Sequence, residues 1–283
     1  MKSLLRPILG LHMQARRGGK FVTCSTSSTR WAHSLHEPDS STEPGFIKFP
    51  RTAHLYNLGR ATRDDLIINK IEVCTLLATD APNVRIVVQE KIDGANMGIT
   101  LDQGLQFSIQ NRSHYVNSKS HAQFKELDLW LQNHEADLWG VLTCNDTLQP
   151  GELIIFGEWV FAEHSIHYTK LPDFFIAFDL YDTRQKQFYS SSRLRDILKT
   201  TSLHAVHELK VQRNNGLSMK TAEQLVCTQS MYYNGMVEGV YVRWENDMWT
   251  VERAKVVRPD FVCGNKDWKK GQIMRNQLIK KTL

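Results

Sequence analysis

The sequence lacks several features that would define its class at once. It has no apolar run close to the roughly 20 residues that a membrane-spanning helix needs, and no internal repeat or long low-complexity tract after residue 45. Its five cysteines are widely scattered without a CxxC pair, which disfavours a zinc ribbon and a disulfide framework. With 283 residues, 41% of them hydrophobic, the chain is long enough for one large globular domain or two small ones, and no membrane partner is expected.

Acidic residues are absent from the first 36 positions, which carry six basic residues. An apolar stretch precedes the arginines, and serine and threonine cluster from Thr23 to Thr29. This composition is typical of a mitochondrial transit peptide, with removal expected near Arg30-Trp31-Ala32. The alternative is a disordered extension without an address, which would leave the protein cytoplasmic or nuclear. Residues 37–45 are rich in Ser, Pro and acids, as linkers are.

The positive charge is concentrated at the two ends of the chain. The whole chain carries +5, of which residues 1–45 contribute +3 and residues 264–283 contribute +5, so the body between them carries −3. A polyanionic partner would therefore have to be held by local clusters and by the basic tail. We expect a transit peptide and linker over residues 1–45, a folded domain over 46–263 and a basic tail over 264–283.

Apolar runs and turn signals predict an α+β fold with mostly antiparallel strands, because the strands are not separated by regular crossover helices. A short helix is expected over residues 62–70, with Thr62 as its cap. The predicted strands cover residues 84–91, 96–101, 105–110, 153–159, 174–181, 239–244 and 249–256, and helical spacing covers residues 119–140, 190–200 and 218–231.

Lys91 is an unusual residue to find at the end of an apolar strand. It lies in the segment EKIDGAN, residues 90–96, directly after the run Arg85-Ile86-Val87-Val88. Burying an unpaired ammonium group is costly, so Lys91 either reaches solvent or lies in a polar cavity that matches its charge. In a cavity it could act as a nucleophile towards the α-phosphate of a nucleotide. The alternative is a solvated lysine before an ordinary Asp-Gly turn.

Further charged residues lie in predicted strands where packing alone would favour apolar ones. Arg253 and Lys255 are two residues apart and so point to the same face of a strand. Glu158 and Glu238 supply carboxylates. Cations suit a nucleoside triphosphate, and carboxylates suit a divalent metal. For each residue taken alone, a solvated strand face or a surface salt bridge is the alternative.

These segments together resemble the RNA ligase 2-like family of the covalent nucleotidyltransferase superfamily. The resemblance runs from about Lys48 to Phe261 and includes six motifs in the family's order. They are EKIDGAN, NRSHY at 111–115, FGEW at 156–159, DFFIAFDLYD at 173–182, EGVYVR at 238–243 and ERAKVVRPDF at 252–261. The resemblance implies the nucleotidyltransferase fold.

The resemblance also implies an ATP-dependent RNA ligase that works in three steps. Lys91 attacks ATP and forms lysyl-AMP, the AMP passes to an RNA 5′-phosphate, and a 3′-hydroxyl then displaces AMP. The implied cofactors are ATP and Mg²⁺ or Mn²⁺. We expect Arg253 and Lys255, with the metal, to lower the pKa of Lys91 by like-charge repulsion. Glu238 is expected to hold the metal, and Glu158 to contact either ribose or metal.

The remaining implied contacts concern nucleotide and RNA. Phe178 would lie on the adenine face, although a core aromatic is the alternative. Arg112 would position ribose or an RNA phosphate, with a surface salt bridge as its alternative, and Asn96 would orient the nucleotide or stabilise a turn. Arg243 would bind phosphate. Nucleotide contacts are also expected at Glu90 and Ile92, and RNA contacts at Lys266, Lys269 and Lys270.

The sequence departs from DNA ligases and capping enzymes after the last motif. Only 28 residues follow Lys255, too few for the five-stranded OB-fold that those enzymes carry. We therefore expect no C-terminal OB-fold, so that the tail or another protein clamps RNA. An enzyme that prepares the RNA ends is a further expected partner. A DNA ligase or capping enzyme and a non-catalytic RNA-binding protein remain the alternatives.

Overall fold

A computed structural model describes residues 46–59, 61–62, 65–68, 84–145, 148–209, 217–262 and 273–280. The predicted transit peptide and linker, residues 1–45, lie outside the described residues, as do Lys266, Lys269 and Lys270. Within the described ranges, no helix has both the length and the apolar character to cross a membrane.

The described elements follow one another in an α+β order. In chain order they are β1 (Arg85–Lys91), β2 (Ala95–Leu101), β3 (Phe107–Gln110), α1 (Leu127–Leu142), β4 (Leu153–Trp159), β5 (Phe175–Asp182), β6 (Gln187–Phe188), α2 (Ser191–Leu198), β7 (His204–Ala205), β8 (Glu208–Leu209), α3 (Met219–Val226), β9 (Gly239–Glu245) and β10 (Thr250–Val257).

The strands form two sheets. The first has the order β10-β9-β1-β8, with every neighbouring pair antiparallel. The second has the order β3-β2-β4-β5-β6, again antiparallel, and β7 pairs in parallel with β5. This arrangement confirms the predicted α+β fold with mostly antiparallel strands.

Helix α1 covers the second sheet because its apolar residues fall on one face. Leu127, Trp130, Leu138, Val141 and Leu142 are buried in the same apolar cluster as residues of β2, β4 and β5. A short 3₁₀ turn, Ala122–Phe124, precedes the helix, so the helical pattern over residues 119–140 corresponds to two elements. Helices α2 and α3 begin after Ser190 and Ser218, whose side chains accept hydrogen bonds from backbone N–H groups.

The predicted helix over residues 62–70 is wrong for the residues described there. The Asp65 carboxylate accepts hydrogen bonds from the backbone N–H and the hydroxyl of Thr62, both at 3.0 Å. Ile67 then forms a β-bridge with His54. Asp65 also pairs with Lys255 on β10, so a tertiary ion pair holds this segment extended against the first sheet.

A buried ion network joins the two sheets. Arg243 on β9 pairs with Asp179 on β5 at 2.8 Å and with Glu245 at 2.6 Å. Asp179 also pairs with Arg253 on β10. The Glu245 carboxylate accepts hydrogen bonds from the backbone N–H and the hydroxyl of Ser191, at 3.0 and 2.7 Å, which ties in the first turn of α2. Four elements of the fold, β5, β9, β10 and α2, are therefore fixed by one set of charges.

The segment over residues 273–280 packs on the domain, although it lies within the predicted basic tail. Asn276 is buried and donates from Nδ2 to the carbonyls of Val160 and Ala162, at 2.9 and 3.2 Å. Its Oδ1 accepts from the Tyr168 N–H at 2.8 Å. Because these contacts lie just after β4, the end of the described chain is an integral part of the second sheet's surroundings.

The ion network generates a prediction about stability. We expect Asp179→Asn to lower the free energy of unfolding by about 3–5 kcal/mol, because two cations lose their buried counter-charge. The exposed Arg184 lies 3.8 Å from Glu152, and Arg184→Ala is the control, with an expected effect of at most about 1 kcal/mol. Urea denaturation at neutral pH measures both variants. A loss at Asp179 as small as that of the control would contradict the assignment.

Candidate active site

The turn after β1 is held in place by the loop that follows β4. The Asp93 carboxylate accepts hydrogen bonds from the N–H groups of Ser165 and Ile166, at 2.7 and 3.2 Å. The Asp93 N–H donates to the Tyr168 hydroxyl at 2.8 Å. A Cβ at Gly94 would lie 2.7 Å from the carbonyl oxygen of Trp159, so only glycine allows this approach. The Lys-x-Asp-Gly segment is thus a packed structural element and not an ordinary solvated turn.

Lys91 pairs with Glu238 instead of pointing to solvent. Its Nζ lies 2.6 Å from Oε1 of Glu238, and the side chains are 18% and 6% exposed. The β1–β9 register places Lys91 opposite Gly239, which brings the neighbouring Glu238 within reach. The Tyr241 ring centroid lies 6.0 Å from Nζ. We call Lys91, Asn96, Glu158, Glu238 and Tyr241 the Lys91 cluster.

The predicted lowering of the Lys91 pKa is wrong for this state of the protein. Burial acts to lower the pKa of Lys91, but the negative charges of Glu238, Tyr241 and Glu158 outweigh it, and the pKa is raised above its ordinary value. Lys91 is therefore a protonated ammonium group at neutral pH, stabilised by its pair with Glu238.

Both predicted activating cations are themselves paired with carboxylates. Lys255 Nζ lies 2.8 Å from Asp65 Oδ1. Arg253 pairs with Asp179 and lies over the Phe188 ring, 4.0 Å from its centroid. The two cations do share one face of β10, as their spacing predicts. Arg253 lies opposite Arg243 of β9, and Lys255 lies opposite Tyr241. Burial raises the pKa of Glu238, and the charge of Lys255 opposes this rise.

Glu158 and Asn96 lie opposite each other on β4 and β2. Burial raises the pKa of Glu158 to about 8, with Lys91 and Arg112 opposing the rise and Glu238 and Asp93 adding to it. Asn96 Oδ1 and Glu238 Oε2 are buried oxygens without a hydrogen-bond partner among the described residues. Buried polar atoms without partners are uncommon, so these two oxygens indicate a place for a ligand.

These oxygens fit a divalent cation that shares its coordination with a substrate. Among the described residues, no group of three or more His, Cys, Asp or Glu side chains is arranged around a metal position. Mg²⁺, however, usually takes one or two carboxylates and completes its octahedron with water and phosphate oxygens. Glu158 and Glu238 supply the carboxylates, and Glu238 has one free oxygen.

The structure contradicts the predicted phosphate contact of Arg243. All three guanidinium nitrogens lie near protein oxygens, and the side chain is 3% exposed. Nε donates to Glu245, and Nη1 lies 2.8 Å from Asp179 and 3.1 Å from the Phe178 carbonyl. Nη2 donates to the Thr250 hydroxyl at 2.5 Å and to the Tyr189 carbonyl at 3.3 Å. Arg243 therefore stabilises the fold, because its guanidinium nitrogens already bond to protein oxygens.

The side chains of Glu90 and Ile92 also serve the fold. Glu90 is buried, accepts hydrogen bonds from the Ser230 hydroxyl at 2.5 Å and the Met231 N–H at 3.1 Å, and has its pKa raised to about 6 by burial. Ile92 is buried in the core. This leaves neither of them a side-chain role in nucleotide binding, because strand alternation turns both away from Lys91.

The predicted adenine contact of Phe178 and the predicted ribose or RNA contact of Arg112 stay predictions. Phe178 is the extra residue at the irregularity between β4 and β5, is half-buried and packs edge-on against Phe49, with ring centroids 5.3 Å apart. Part of its ring is thus used in packing, as the core alternative expects. Arg112 is exposed just after β3, and its charge lowers the pKa values of Glu158 and Tyr241 against the effect of burial.

Several residues of the site were missed by sequence reasoning. Tyr168 and Asp93 fix the turn, Asp65 and Asp179 neutralise the two cations, and Tyr241 flanks Lys91. Asp179 carried a signal, since it is a charge in the apolar segment DFFIAFDLYD. Asp65 carried none, because its partner is 190 positions away.

Fold and site together define a nucleotidyltransferase-like protein. The family model described as RNA ligase matches residues 84–257, which is more than half of the chain and includes the entire Lys91 cluster. This chain therefore belongs to the RNA ligase family. A comparison with curated proteins found no match.

Solved structures of an RNA ligase from Naegleria gruberi are similar in fold. An apo mutant of that ligase has a TM-score of 0.53 at 12% identity, covering 80% of this chain and 59% of that chain. The ligase with PPi gives 0.54 at 14% identity, with 80% and 60% covered. A mutant with ATP and Mn gives 0.51 at 12% identity, with 77% and 57% covered. The chain thus spans about three fifths of the length of these ligases.

The raised pKa of Glu158 generates a prediction about pH. An acid whose folded pKa lies above its ordinary value of 4.5 binds more protons when folded, so stability falls as pH rises between 4.5 and about 8. The cost is up to about 1.4 kcal/mol per pH unit. Glu158→Gln carries no such charge, so we expect its advantage in unfolding free energy over wild type to grow from pH 5 to pH 8.

Urea denaturation in a chelator solution measures this effect without interference from metal ions. Glu223→Gln, at an exposed position of α3, is the matched control and should follow the wild-type pH profile. An advantage of Glu158→Gln that is the same at both pH values would refute a raised pKa.

Proposed function

We propose that this protein is an ATP-dependent RNA ligase that joins 5′-phosphate and 3′-hydroxyl ends through lysyl-AMP on Lys91 and an RNA-adenylate. The single observation that carries the proposal is the buried pair of Lys91 and Glu238 at 2.6 Å, beside a second carboxylate and two buried oxygens without partners. Family membership supports ligase chemistry with RNA. The Naegleria gruberi ligase structures with ATP and Mn, with AMP and Mn, and with PPi support the use of a nucleotide and a divalent metal.

The first chemical step requires Lys91 to lose its proton. A divalent cation bound by Glu158 and Glu238 would supply positive charge to the phosphates and would compete with Lys91 for Glu238. Once the cation has taken the charges of Glu238 and Glu158 from Lys91, burial would lower the pKa of Lys91, and its proton would pass to solvent. The neutral amine then attacks the α-phosphorus, the new P–N bond forms, the bond to the bridging oxygen breaks and pyrophosphate leaves.

Asn96 of the Lys91 cluster and two residues outside it, Lys255 and Phe178, orient the substrate in this proposal. Lys255 lies on the face of β10 that opposes Tyr241, and it would exchange Asp65 for a nucleotide phosphate. Asn96 Oδ1 would accept a hydrogen bond from the nucleotide, and Phe178 would contact adenine. Mg²⁺ is the proposed physiological metal, with Mn²⁺ as a substitute. The cellular role is RNA repair or processing, with an end-preparing enzyme as a partner.

Covalent labelling tests the proposal directly. Incubation with Mg²⁺ and α-phosphate-labelled ATP should leave acid-labile label on the protein, and Lys91→Ala should abolish it. Lys220→Ala, an exposed lysine on α3, is the matched control and should label like wild type. Glu238→Gln should lower labelling at least about tenfold, because it removes a metal-binding oxygen.

The nucleotide and polynucleotide used separate the proposal from its rivals. Label from GTP alone would indicate a capping-type enzyme, and sealing of DNA but not RNA ends would indicate a DNA ligase. Absence of label from either nucleotide, in an assay where a known ligase reacts, would refute the enzymatic proposal and favour a non-catalytic RNA-binding protein.

We also propose that the protein acts in mitochondria, on the basis of its acid-free, basic first 36 residues. Residues 1–45 fused to a fluorescent reporter should direct the reporter to mitochondria. The same fusion with Arg16 and Arg17 changed to Glu should remain in the cytoplasm, because transit peptides require basic residues and avoid acidic ones. Cytoplasmic fluorescence of the unchanged fusion would count against the address.

A further inference from the structure

Two cations from distant parts of the sequence converge on one aromatic ring. Lys125 Nζ lies 5.4 Å from the centroid of the Phe161 ring, and the Arg275 guanidinium lies 5.2 Å from the same centroid. Arg275 also lies 4.9 Å from the Phe174 ring centroid. Both rings are buried, whereas both cations are exposed. The two charges therefore lie within about 11 Å of each other.

These two cations differ from those of the site in how they are held. Lys91, Arg243, Arg253 and Lys255 each pair with a carboxylate. Within the described part of the chain, neither Lys125 nor Arg275 forms an ion pair. A ring face attracts a cation without using its N–H donors. The aromatic rings therefore orient these two cations and leave their donors available to an anion.

The backbone around both cations is fixed. Arg275 forms a β-bridge with Ala162, and the next residue, Asn276, is buried with its side chain bonded to the carbonyls of Val160 and Ala162. Lys125 follows the 3₁₀ turn Ala122–Phe124, whose Gln123 carbonyl accepts from Trp159 Nε1 at 2.7 Å. Both cations are thus anchored to the end of β4, the strand that carries Glu158.

The same turn connects the cations to the Lys91 cluster. Gln123 Oε1 lies 3.3 Å from His164 Nε2. Burial lowers the pKa of His164, Asp93 opposes this, and His121 and Lys91 add to it, so His164 lies within electrostatic reach of the nucleophile. A chain of contacts therefore runs from Lys125 through the turn with Gln123 to His164, which interacts electrostatically with Lys91.

We propose that Lys125 and Arg275 form a phosphate clamp that binds the RNA strand leading into the Lys91 cluster. This inference rests on the proposed function, which supplies the RNA. The body of the chain has a net charge of −3, so it has no general field to attract a polyanion, and oriented cations must do so locally. The clamp contacts phosphates and is independent of base sequence.

The salt dependence of RNA binding tests the clamp. Each phosphate contact contributes about 0.7 to the slope of log K against log salt for a single strand. We expect Lys125→Ala and Arg275→Ala each to reduce the slope by about 0.7, and the double variant by about 1.4, for a 5′-phosphorylated RNA oligonucleotide measured by fluorescence anisotropy. Lys125→Arg and Arg275→Lys keep the charges and should keep the slope.

Lys220→Ala and Arg184→Ala remove exposed cations elsewhere and should leave the slope unchanged. Thermal unfolding checks that each variant is folded, and the charge-keeping variants test the clamp even if an alanine variant is not. A double variant with the wild-type slope, or control variants that lower it equally, would overturn the clamp. Because binding is measured without ATP, a failure of Lys91 labelling would count against the proposed function and not against the clamp.

Discussion

The buried guanidinium of Arg243 is the constraint on which the rest of the structure depends. It lies between Asp179 of one sheet and Glu245 of the other, and a charge so deeply buried is tolerated only with complete pairing. Its partners fix the distance between β5 and β9 and the start of α2. Since β4 pairs with β5 and β1 pairs with β9, the same contacts bring Glu158 towards Lys91.

A second set of charges determines the protonation state of Lys91, the proposed nucleophile. In the protein alone, Glu238 stabilises the ammonium form of Lys91, while burial of Glu158 favours its neutral form near neutral pH. In these protonation states, the Lys91 ammonium cannot attack a phosphate and the neutral Glu158 is a poor metal ligand. A ligand that brings positive charge to Glu158 and Glu238 would reverse both effects, because it favours the carboxylates and leaves Lys91 desolvated. In the proposed mechanism, metal binding and activation of Lys91 would be coupled through the carboxylates of Glu158 and Glu238.

Much of the fold and part of the site follow from local sequence signals. Apolar runs and turn signals identify the long strands, and the proximity of Lys91 to both Glu158 and Glu238 was predicted from the ordered motifs. Pairings over long sequence separations were not predictable. Asp65 and Asp179 pair with Lys255 and Arg253 across 190 and 74 positions, and the direct pair of Lys91 with Glu238 raises the Lys91 pKa against the expectation. The strand pattern placed Arg253 and Lys255 on one face, but no sequence signal indicated that Arg243 would be fully enclosed.

The cations of the site and those of the proposed clamp thus form two groups with different physical roles. Those in the interior are paired, and their removal from a carboxylate requires a competing ligand. Those of the clamp face water and are held by the rings of Phe161 and Phe174, so they exchange solvent for phosphate without breaking an ion pair. An anionic strand should therefore meet the exposed cations first at low cost, and only then compete for the paired ones. In the proposed mechanism, substrate capture and activation of Lys91 would therefore use separate sets of charges.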